Sequence, residues 1–342
     1  QRQTGQRMKP ANQFVSKYLL LIGRHRTYGV VSLMLLTVLV VSIVNPEFLA
    51  LGNLRDLLIQ AAPVAIVACG VTLVVLTGEI DISVGSMMGI LAATLGVLTS
   101  PSHVGWSVPL ASFVVIGLGA GIGAFNGVLV AYGKVPSIIV TLGMLTALKG
   151  GTEMVLGGEW VTDLPPDLRF LGTGSLLGVP VSVLAAVLVI VGTGVLLYLT
   201  PFGRRVYAVG SNPEAAVYAG IPVRLIKLLT FLWTGALVGV AVLVSAPQLS
   251  VIDSGFGSGF ELLVVTCVVV GGVAISGGVG SLGGVVAATL LISMISTVLI
   301  FLKLGENATY WSRAIQGVFI LVAVLLDHVV RQYRAKPSGG AS

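Results

Sequence analysis

Two carboxylates interrupt a long apolar part of the sequence. Glu79 and Asp81 lie between the runs 61–76 and 87–98, neither of which contains a charged residue. Acidic groups at membrane depth are expensive, so they usually face protein, water or a polar pathway and mark function. Such groups carry protons or ions, contact polar solutes or cap helix ends. The side chains predicted to line a pathway or gate are those of Glu79, Asp81, Ser83, Ser86 and Asn126.

Glycines around the two acids predict a break between helices. These glycines are Gly78, Gly85 and Gly89. They favour a helix that stops, passes through irregular backbone and starts again, and either Ser83 or Asp81 is then expected to cap the new helix. Irregular backbone near the bilayer is tolerated only where protein or a water-filled cavity covers it, and transporters often bind or gate at broken helices. A tight interfacial turn whose acids only cap the next helix is the alternative.

Asn126 lies near the end of an apolar segment that is rich in small residues. Two pairs of glycines four residues apart, Gly117 with Gly121 and Gly119 with Gly123, favour close packing against another helix. The Asn126 amide either hydrogen-bonds a neighbouring helix or contacts a solute, and the sequence leaves both open.

The sequence offers no recognisable set of residues for enzyme or metal chemistry. It has no Gly-x-x-x-x-Gly-Lys-Ser/Thr phosphate loop and no visible pairing of a nucleophile with a base. Cys69 and Cys267 fall in apolar segments, and the three histidines have no ligand spacing. We therefore expect no catalytic residue, no metal and no cofactor bound by this chain.

Composition places the chain in a membrane. Of its 342 residues, 56% are hydrophobic and 9% are charged, and the mean hydropathy is +1.03. Soluble proteins carry roughly 25% charged residues, and a helix needs about 20 apolar residues to cross the hydrocarbon. The runs predict an all-α polytopic membrane protein of about ten transmembrane helices with broken, Gly-rich segments. The predicted spans are 28–44, 56–77, 84–99, 107–132, 137–155, 179–199, 225–246, 261–276, 281–303 and 311–327.

The basic residues indicate which ends face the cytoplasm. With the N-terminus inside, 14 of the 19 Lys and Arg residues fall in inside segments, as the positive-inside rule requires. The predicted parts are a basic cytoplasmic segment 1–27, a transmembrane domain 28–328 with a cytoplasmic loop 201–227, and a cytoplasmic tail 329–342. The net charge of +6 is spread over these parts. It does not form the clustered basic face that nucleic acid requires.

The loop 201–227 encodes a short helix that cannot be stable by itself. Asn212 is a good N-cap, Pro213 suits the first helical position, and Gly220 suits the left-handed residue that ends a helix. About seven residues are too few for a stable helix in water, so a partner surface is predicted. The two alanines of the helix are expected to approach that surface closely. The residues assigned to this contact are Arg204, Arg205, Asn212, Pro213, Glu214, Ala215, Ala216, Gly220 and Ile221.

Two further patterns are weaker. The longest outside segment, 157–177, is polar and contains prolines, which suits an ordered lid or a docking surface as well as a plain connection. The triplet Val-Gly-Ser at residues 84–86 recurs at residues 279–281, with Gly and Ala-Ala-Thr following at the same spacing. This echo indicates a parallel internal repeat, or else the composition of a Gly/Ala-rich chain.

The acidic stretch also resembles a known family. Residues 78–86, Gly-Glu-Ile-Asp-Ile-Ser-Val-Gly-Ser, are similar to the Gly-Gly-Ile-Asp-Leu-Ser-Val-Gly-Ser signature of the permease subunits of bacterial ABC importers for monosaccharides, the ribose, xylose, rhamnose and autoinducer-2 group. Glu79 departs from the second glycine of that signature. The Asn-Gly, Lys-x-Pro and Val-Thr-Leu-Gly motifs of residues 126–143 and the Glu-Ala-Ala of residues 214–216 extend the resemblance.

The resemblance implies a permease subunit in the bacterial cytoplasmic (inner) membrane that passes a monosaccharide or a similar hydroxylated solute. It implies three protein partners: a cytoplasmic ATP-binding subunit that holds the ATP and Mg, an extracytoplasmic sugar-binding protein, and a second permease copy or close paralogue. One alternative is an ion- or proton-coupled secondary transporter that uses Glu79 and Asp81, and another is a passive channel. Neither alternative has a use for a capped cytoplasmic helix that needs a partner.

Overall fold

The computed structural model of the protein describes residues 26–303, 311–312, 314–319, 321–322 and 325. The predicted segment 1–27 lies largely outside these residues and the predicted tail 329–342 lies wholly outside them, while the tenth predicted span 311–327 is described in part.

Helices make up almost all regular structure in the described part of the chain. They are α1 (Arg26–Val44), α2 (Leu51–Leu76), α3 (Val84–Thr99), α4 (Val108–Ala131), α5 (Ser137–Leu156), α6 (Pro166–Thr173), α7 (Val181–Leu199), α8 (Pro201–Ser211), α9 (Pro213–Tyr218), α10 (Val223–Ser245), α11 (Phe260–Val270) and α12 (Leu282–Phe301). Short 3₁₀ turns cover Pro46–Leu49 and Ala246–Gln248, and a two-stranded antiparallel hairpin pairs β1 (Ser175–Leu176) with β2 (Val179–Pro180).

Among the residues that the structure describes, six helical segments are long and apolar enough to cross a membrane, and three apolar helices are shorter. The six begin at Leu51, Val108, Ser137, Val181, Val223 and Leu282. The shorter three are Tyr28–Val44, Val84–Thr99 and Phe260–Val270. A helical protein with several helices that could span a membrane is thus confirmed, while the number of about ten spans stays a prediction.

The central helix is α2. All of its residues from 61 to 76 are buried. A helix that is apolar on every side is stable only when other elements cover every side, and here α7, α10, α11 and α12 pack around it. Gly70 lets α10 approach closely, because a Cβ at Gly70 would lie 2.8 Å from the Cα of Thr234.

The predicted glycine pairs of α4 have different surroundings. Gly119 and Gly123 face α10, whose backbone carbonyls occupy the positions that their Cβ atoms would take. Gly117 and Gly121 meet open space. One pair therefore packs two helices together, as expected for small residues in membranes, while the other lies on an apolar groove.

The eighth predicted span, 261–276, is too long. The helix α11 ends at Val270, because Gly271 and Gly272 follow it and Gly272 has a φ of 92°. The chain then turns through Gly277 and Gly278, both with positive φ, before α12 begins. We call residues 271–281 the second glycine turn.

Candidate functional site

Four of the five predicted pathway residues form one hydrogen-bonded cluster in the break between α2 and α3. We call residues 77–83 the acidic turn. The Asp81 Oδ1 accepts the Ser83 hydroxyl at 2.6 Å and the Ser83 N–H at 2.9 Å. The Asn126 amide of α4 donates to the Ser83 Oγ at 3.0 Å, and the Ser86 hydroxyl donates to the Ser83 carbonyl at 3.0 Å. Asp81, Ser83 and Asn126 are fully buried.

Neither of the two expected caps, Ser83 and Asp81, accepts an N–H of α3 through its side chain. The Ser83 side chain accepts no N–H of α3, although Ser83 is the residue before the helix. Asp81 instead holds the Ser83 N–H, and the Ser83 hydroxyl joins Asp81 to Asn126. Asn126 therefore forms a hydrogen bond within the protein. This is the structural one of the two roles that the sequence leaves open for its amide. The Asp81 Oδ2 and the Asn126 Oδ1 are buried without a partner among the described residues.

The helix α5 fixes the acidic turn from another side. The Ser137 hydroxyl accepts the Ile80 N–H at 3.2 Å. Ser137 is the first residue of α5, so the turn and the start of that helix are joined directly. A turn held by α4 and α5 is the covered irregular backbone that a membrane protein requires.

Glu79 does not join this cluster. Its carboxylate pairs with the Lys227 ammonium, and both side chains are mostly buried, with 16% and 19% of their surface exposed. Lys227 lies in the first turns of α10. The ion pair thus links the acidic turn to the end of the loop 201–227.

That loop contains two helices rather than the single predicted one. The unpredicted helix α8 carries Arg204 and Arg205 on its exposed side and buries Val206 and Val209. The predicted helix is α9, and its caps are as expected. The Asn212 side chain accepts the Ala215 N–H at 2.9 Å. At the other end Gly220 has a φ of 75°.

The last turn of α9 has the hydrogen bonds of a glycine-terminated helix. The Ile221 N–H donates to the Ala216 carbonyl at 3.0 Å, which satisfies a carbonyl that the helix end would leave free. Ala216 itself is buried against the protein, with 4% of its surface exposed. The expectation that Ala216 faces a partner is therefore wrong. The outward face of α9 consists of Glu214, Ala215, Val217 and Tyr218.

The helix α8 touches both breaks in the helix bundle. The Leu76 carbonyl, at the end of α2, and the Gly278 N–H, in the second glycine turn, form a hydrogen bond of 2.9 Å. Gly210 of α8 lies against this bond, so closely that a Cβ would overlap both atoms. The Tyr207 hydroxyl of α8 also donates to the Gly280 carbonyl at 2.9 Å. We call this contact of α8 with both breaks the junction.

Comparison with known proteins shows which family the chain belongs to. A family model described as "Branched-chain amino acid transport system / permease component" matches residues 53–324. The chain belongs to this permease family. This match confirms the resemblance to importer permeases that the sequence motifs indicate.

Several curated relatives of the permease share one name, "Autoinducer 2 import system permease protein LsrC". The relative from Escherichia coli is 33% identical over 285 residues, which is 83% of this chain and 82% of the relative. The relative from Enterobacter sp. is 34% identical over 84% of this chain and 82% of its own length. The relative from Yersinia enterocolitica is 32% identical over 84% and 79%. No solved structure matches the chain.

The longest predicted outside segment of the permease is ordered and attached at the end opposite the junction. Val161 forms an antiparallel bridge with Ile252, with N–H to carbonyl distances of 3.1 and 2.9 Å. The Asp163 carboxylate accepts the Ser100 hydroxyl and the Ser102 N–H, and these hydrogen bonds lower the pKa of Asp163 to about 2. The segment therefore connects the end of α3 to the chain that follows α10.

Several contacts of the permease have no local signal in the sequence. Lys227 is predicted only as one of the inside charges of the loop 201–227, although it pairs with Glu79. Only residues 279–281 of the second glycine turn belong to the predicted echo, yet this turn contacts the acidic turn: a Cβ at Gly277 would lie 2.6 Å from the Gly78 nitrogen. Glu261, which opens the apolar helix α11, carried the same signal as Glu79, namely an acid at the edge of an apolar run.

Removing the charge of Glu79 is expected to destabilise the permease. Glu79→Gln keeps the shape of the side chain and leaves the mostly buried Lys227 ammonium without its counter-charge. A hydrogen bond to a charged group contributes about 1.5–3 kcal/mol, so the melting temperature of the purified permease should fall. Glu79→Lys with Lys227→Glu should recover part of the loss, because it restores the pair in reverse. A melting temperature unchanged by Glu79→Gln would mean that the pair adds nothing to stability.

Proposed function

We propose that this chain is the transmembrane permease subunit of an ATP-driven importer for a monosaccharide or a similar hydroxylated small solute, of the rhamnose, autoinducer-2, ribose or xylose type. The observation that carries the proposal is the match to autoinducer-2 import permeases, at 33% identity over 83% of the chain. A match of that extent covers the helix bundle as well as the loop 201–227. The solute is delivered by an extracytoplasmic sugar-binding protein.

The test is uptake by cells that contain this chain with its partners. We expect energy-dependent uptake of autoinducer 2 or of one of these sugars, lost when the ATP-binding subunit is deleted. Uptake that persists without that subunit and follows a proton or sodium gradient would contradict the proposal. It would favour the secondary transporter.

The helix α9 is proposed as the contact with the ATP-binding subunit. It is six residues long and capped at both ends. Its outward face exposes Val217 and Tyr218, with 59% and 93% of their surface free. A short amphipathic helix of this kind suits a groove on a partner. The ATP and Mg belong to that partner, and this chain binds no cofactor.

Changing the outward face of α9 should weaken this contact. Tyr218→Asp places a charge where a groove would desolvate it, and is expected to reduce both co-purification of the ATP-binding subunit and solute uptake. A buried interface aromatic contributes about 2 kcal/mol or more, which corresponds to a loss of more than tenfold in affinity. Leu177→Asp is the matched control, because Leu177 is 97% exposed at the opposite end of the bundle. Equal association of both variants with the ATP-binding subunit would contradict the docking role.

Two permease copies, or this chain and a close paralogue, are proposed to line the path. The span α5 supports this arrangement, because Lys149 and Glu153 are exposed on its surface. Charges on an exposed face of a spanning helix are expensive in lipid, so that face is expected to border water or another subunit. The junction and both termini face the cytoplasm in this arrangement, and the chain lies in the bacterial inner membrane.

A further inference from the structure

The chain between α10 and α11 enters the protein along α3. We call residues 251–259 the entering segment. Three glycines of α3, Gly85, Gly89 and Gly96, lie on one face of the helix and make room for it. Carbonyl oxygens of the segment lie 2.7 and 2.9 Å from the positions that the Cβ atoms of Gly85 and Gly89 would take. The contacts with α3 extend over about 16 Å, at about 1.5 Å of rise per residue.

A cavity of about 180 Å³ lies where the entering segment meets α3 and α5. Six of the eleven residues that line the cavity have polar side chains, and Phe256 contributes an aromatic ring. The polar side chains are those of Ser86, Lys149, Thr152, Ser254, Ser258 and Glu261. They come from α3, α5, α11 and the entering segment.

The two charged residues of this cavity have no partner in the described part of the chain. Glu261 is half-buried in the first turn of α11, and its carboxylate lies directly against Gly85. Neither the Glu261 carboxylate nor the Lys149 ammonium forms a hydrogen bond or an ion pair with a described residue. An ionisable group that is kept in a membrane protein without a partner usually faces a pathway. The pair adds no net charge to the cavity.

We propose that this cavity binds the hydroxylated solute during its passage, an inference that rests on the proposed function. Carboxylates accept hydrogen bonds from hydroxyl groups, ammonium groups donate to them, and serine and threonine do both. A neutral solute with several hydroxyls therefore satisfies Glu261 and Lys149 together. The Ser254 and Ser258 side chains are exposed and leave the cavity open. At its other end the Ser86 hydroxyl donates to the Ser83 carbonyl, so a bound solute lies beside the acidic turn.

Thiol labelling of the entering segment tests this site. Ser258→Cys is treated with a membrane-impermeant maleimide in membranes that contain the assembled importer. The native Cys69 and Cys267 are fully buried, so they add little background. We expect D-ribose, L-rhamnose or autoinducer 2 to slow the labelling, and L-leucine not to. Ser254→Cys is the replacement if the first variant fails to insert.

Glu261→Gln, combined with Ser258→Cys, assigns the effect to the cavity. Loss of one charged hydrogen bond should raise the concentration that gives half-protection about tenfold or more. The control is Asp167→Asn, which removes an exposed acid of α6 far from the cavity and should leave protection unchanged. If none of the hydroxylated probes slows the labelling, although the same membranes still take up one of them, the site is overturned. The proposed function would still stand. Protection by L-leucine alone would overturn the solute class as well.

Discussion

Gly210→Ala is expected to destabilise the permease, although alanine is the better helix former. A glycine-to-alanine change inside a helix normally stabilises by about 0.5–1 kcal/mol. At Gly210 the new methyl group would overlap the Leu76 carbonyl and the Gly278 nitrogen, which are backbone atoms held by their mutual hydrogen bond. Overpacking of this kind costs about 1–3 kcal/mol. At the junction, a substitution that normally stabilises a helix is therefore expected to lower the stability of the permease.

The measurement is the melting temperature of the purified permease, together with solute uptake. Gly192→Ala is the matched control, because Gly192 lies in the helix α7 with no atom within 4 Å of a new Cβ. We expect the control to melt at the same or a higher temperature and Gly210→Ala to melt lower and to transport less. A variant Gly210→Ala that melts and transports like the control would mean that α8 does not press on the two breaks.

The close contact at Gly210 also gives α8 a mechanical role in the proposed importer. A force on α9 reaches α8 through Asn212, which ends one helix and caps the other. From α8 it reaches α2 and the second glycine turn at Gly210, where the backbone of α8 lies directly against the backbone atoms of Leu76 and Gly278. Packed backbones have little room to deform. Motion of the loop 201–227 is therefore expected to move both helix breaks together.

Features that depend on neighbouring residues were predictable from the sequence. The caps of α9 follow from Asn212 and Gly220, because an N-cap and a left-handed terminus are set by single residues. The break after α2 follows from Gly78 and the acids beside it. Long apolar runs also predict those helices, among the described residues, that are long and apolar enough to cross a membrane.

Features that depend on distant residues were not predictable in this way. The Glu79–Lys227 pair and the Asn126–Ser83 hydrogen bond join residues far apart in the chain, and neither partner carries a local signal of the other. The entering segment was invisible for the same reason, because the glycines that accommodate it belong to α3. The early end of α11 was missed because the following valine and alanine residues continue the apolar pattern past Gly271 and Gly272.

Asp81→Asn is expected to leave the permease unchanged, whereas Asp81→Ala is expected to destabilise it. Asparagine retains an oxygen that accepts the Ser83 N–H and hydroxyl, so the acidic turn should keep its shape. Alanine removes that oxygen and leaves the buried Ser83 N–H without an acceptor, which costs about 1–3 kcal/mol. In the described part of the chain no Lys or Arg pairs with Asp81. We therefore expect Asp81→Asn to melt and transport like the wild type and Asp81→Ala to lose both stability and uptake.

The comparison of these two variants separates the importer from the ion-coupled alternative. A transporter that moves protons or sodium through Asp81 needs a carboxylate there, and an amide cannot replace it. Asp56→Asn, an exposed acid-to-amide change at the start of α2, controls for the loss of one negative charge. Uptake and melting temperature are measured for all three variants in the same membranes. If Asp81→Asn keeps the melting temperature but loses uptake, the charge itself is used, and the ion-coupled transporter becomes the better account of the acidic turn.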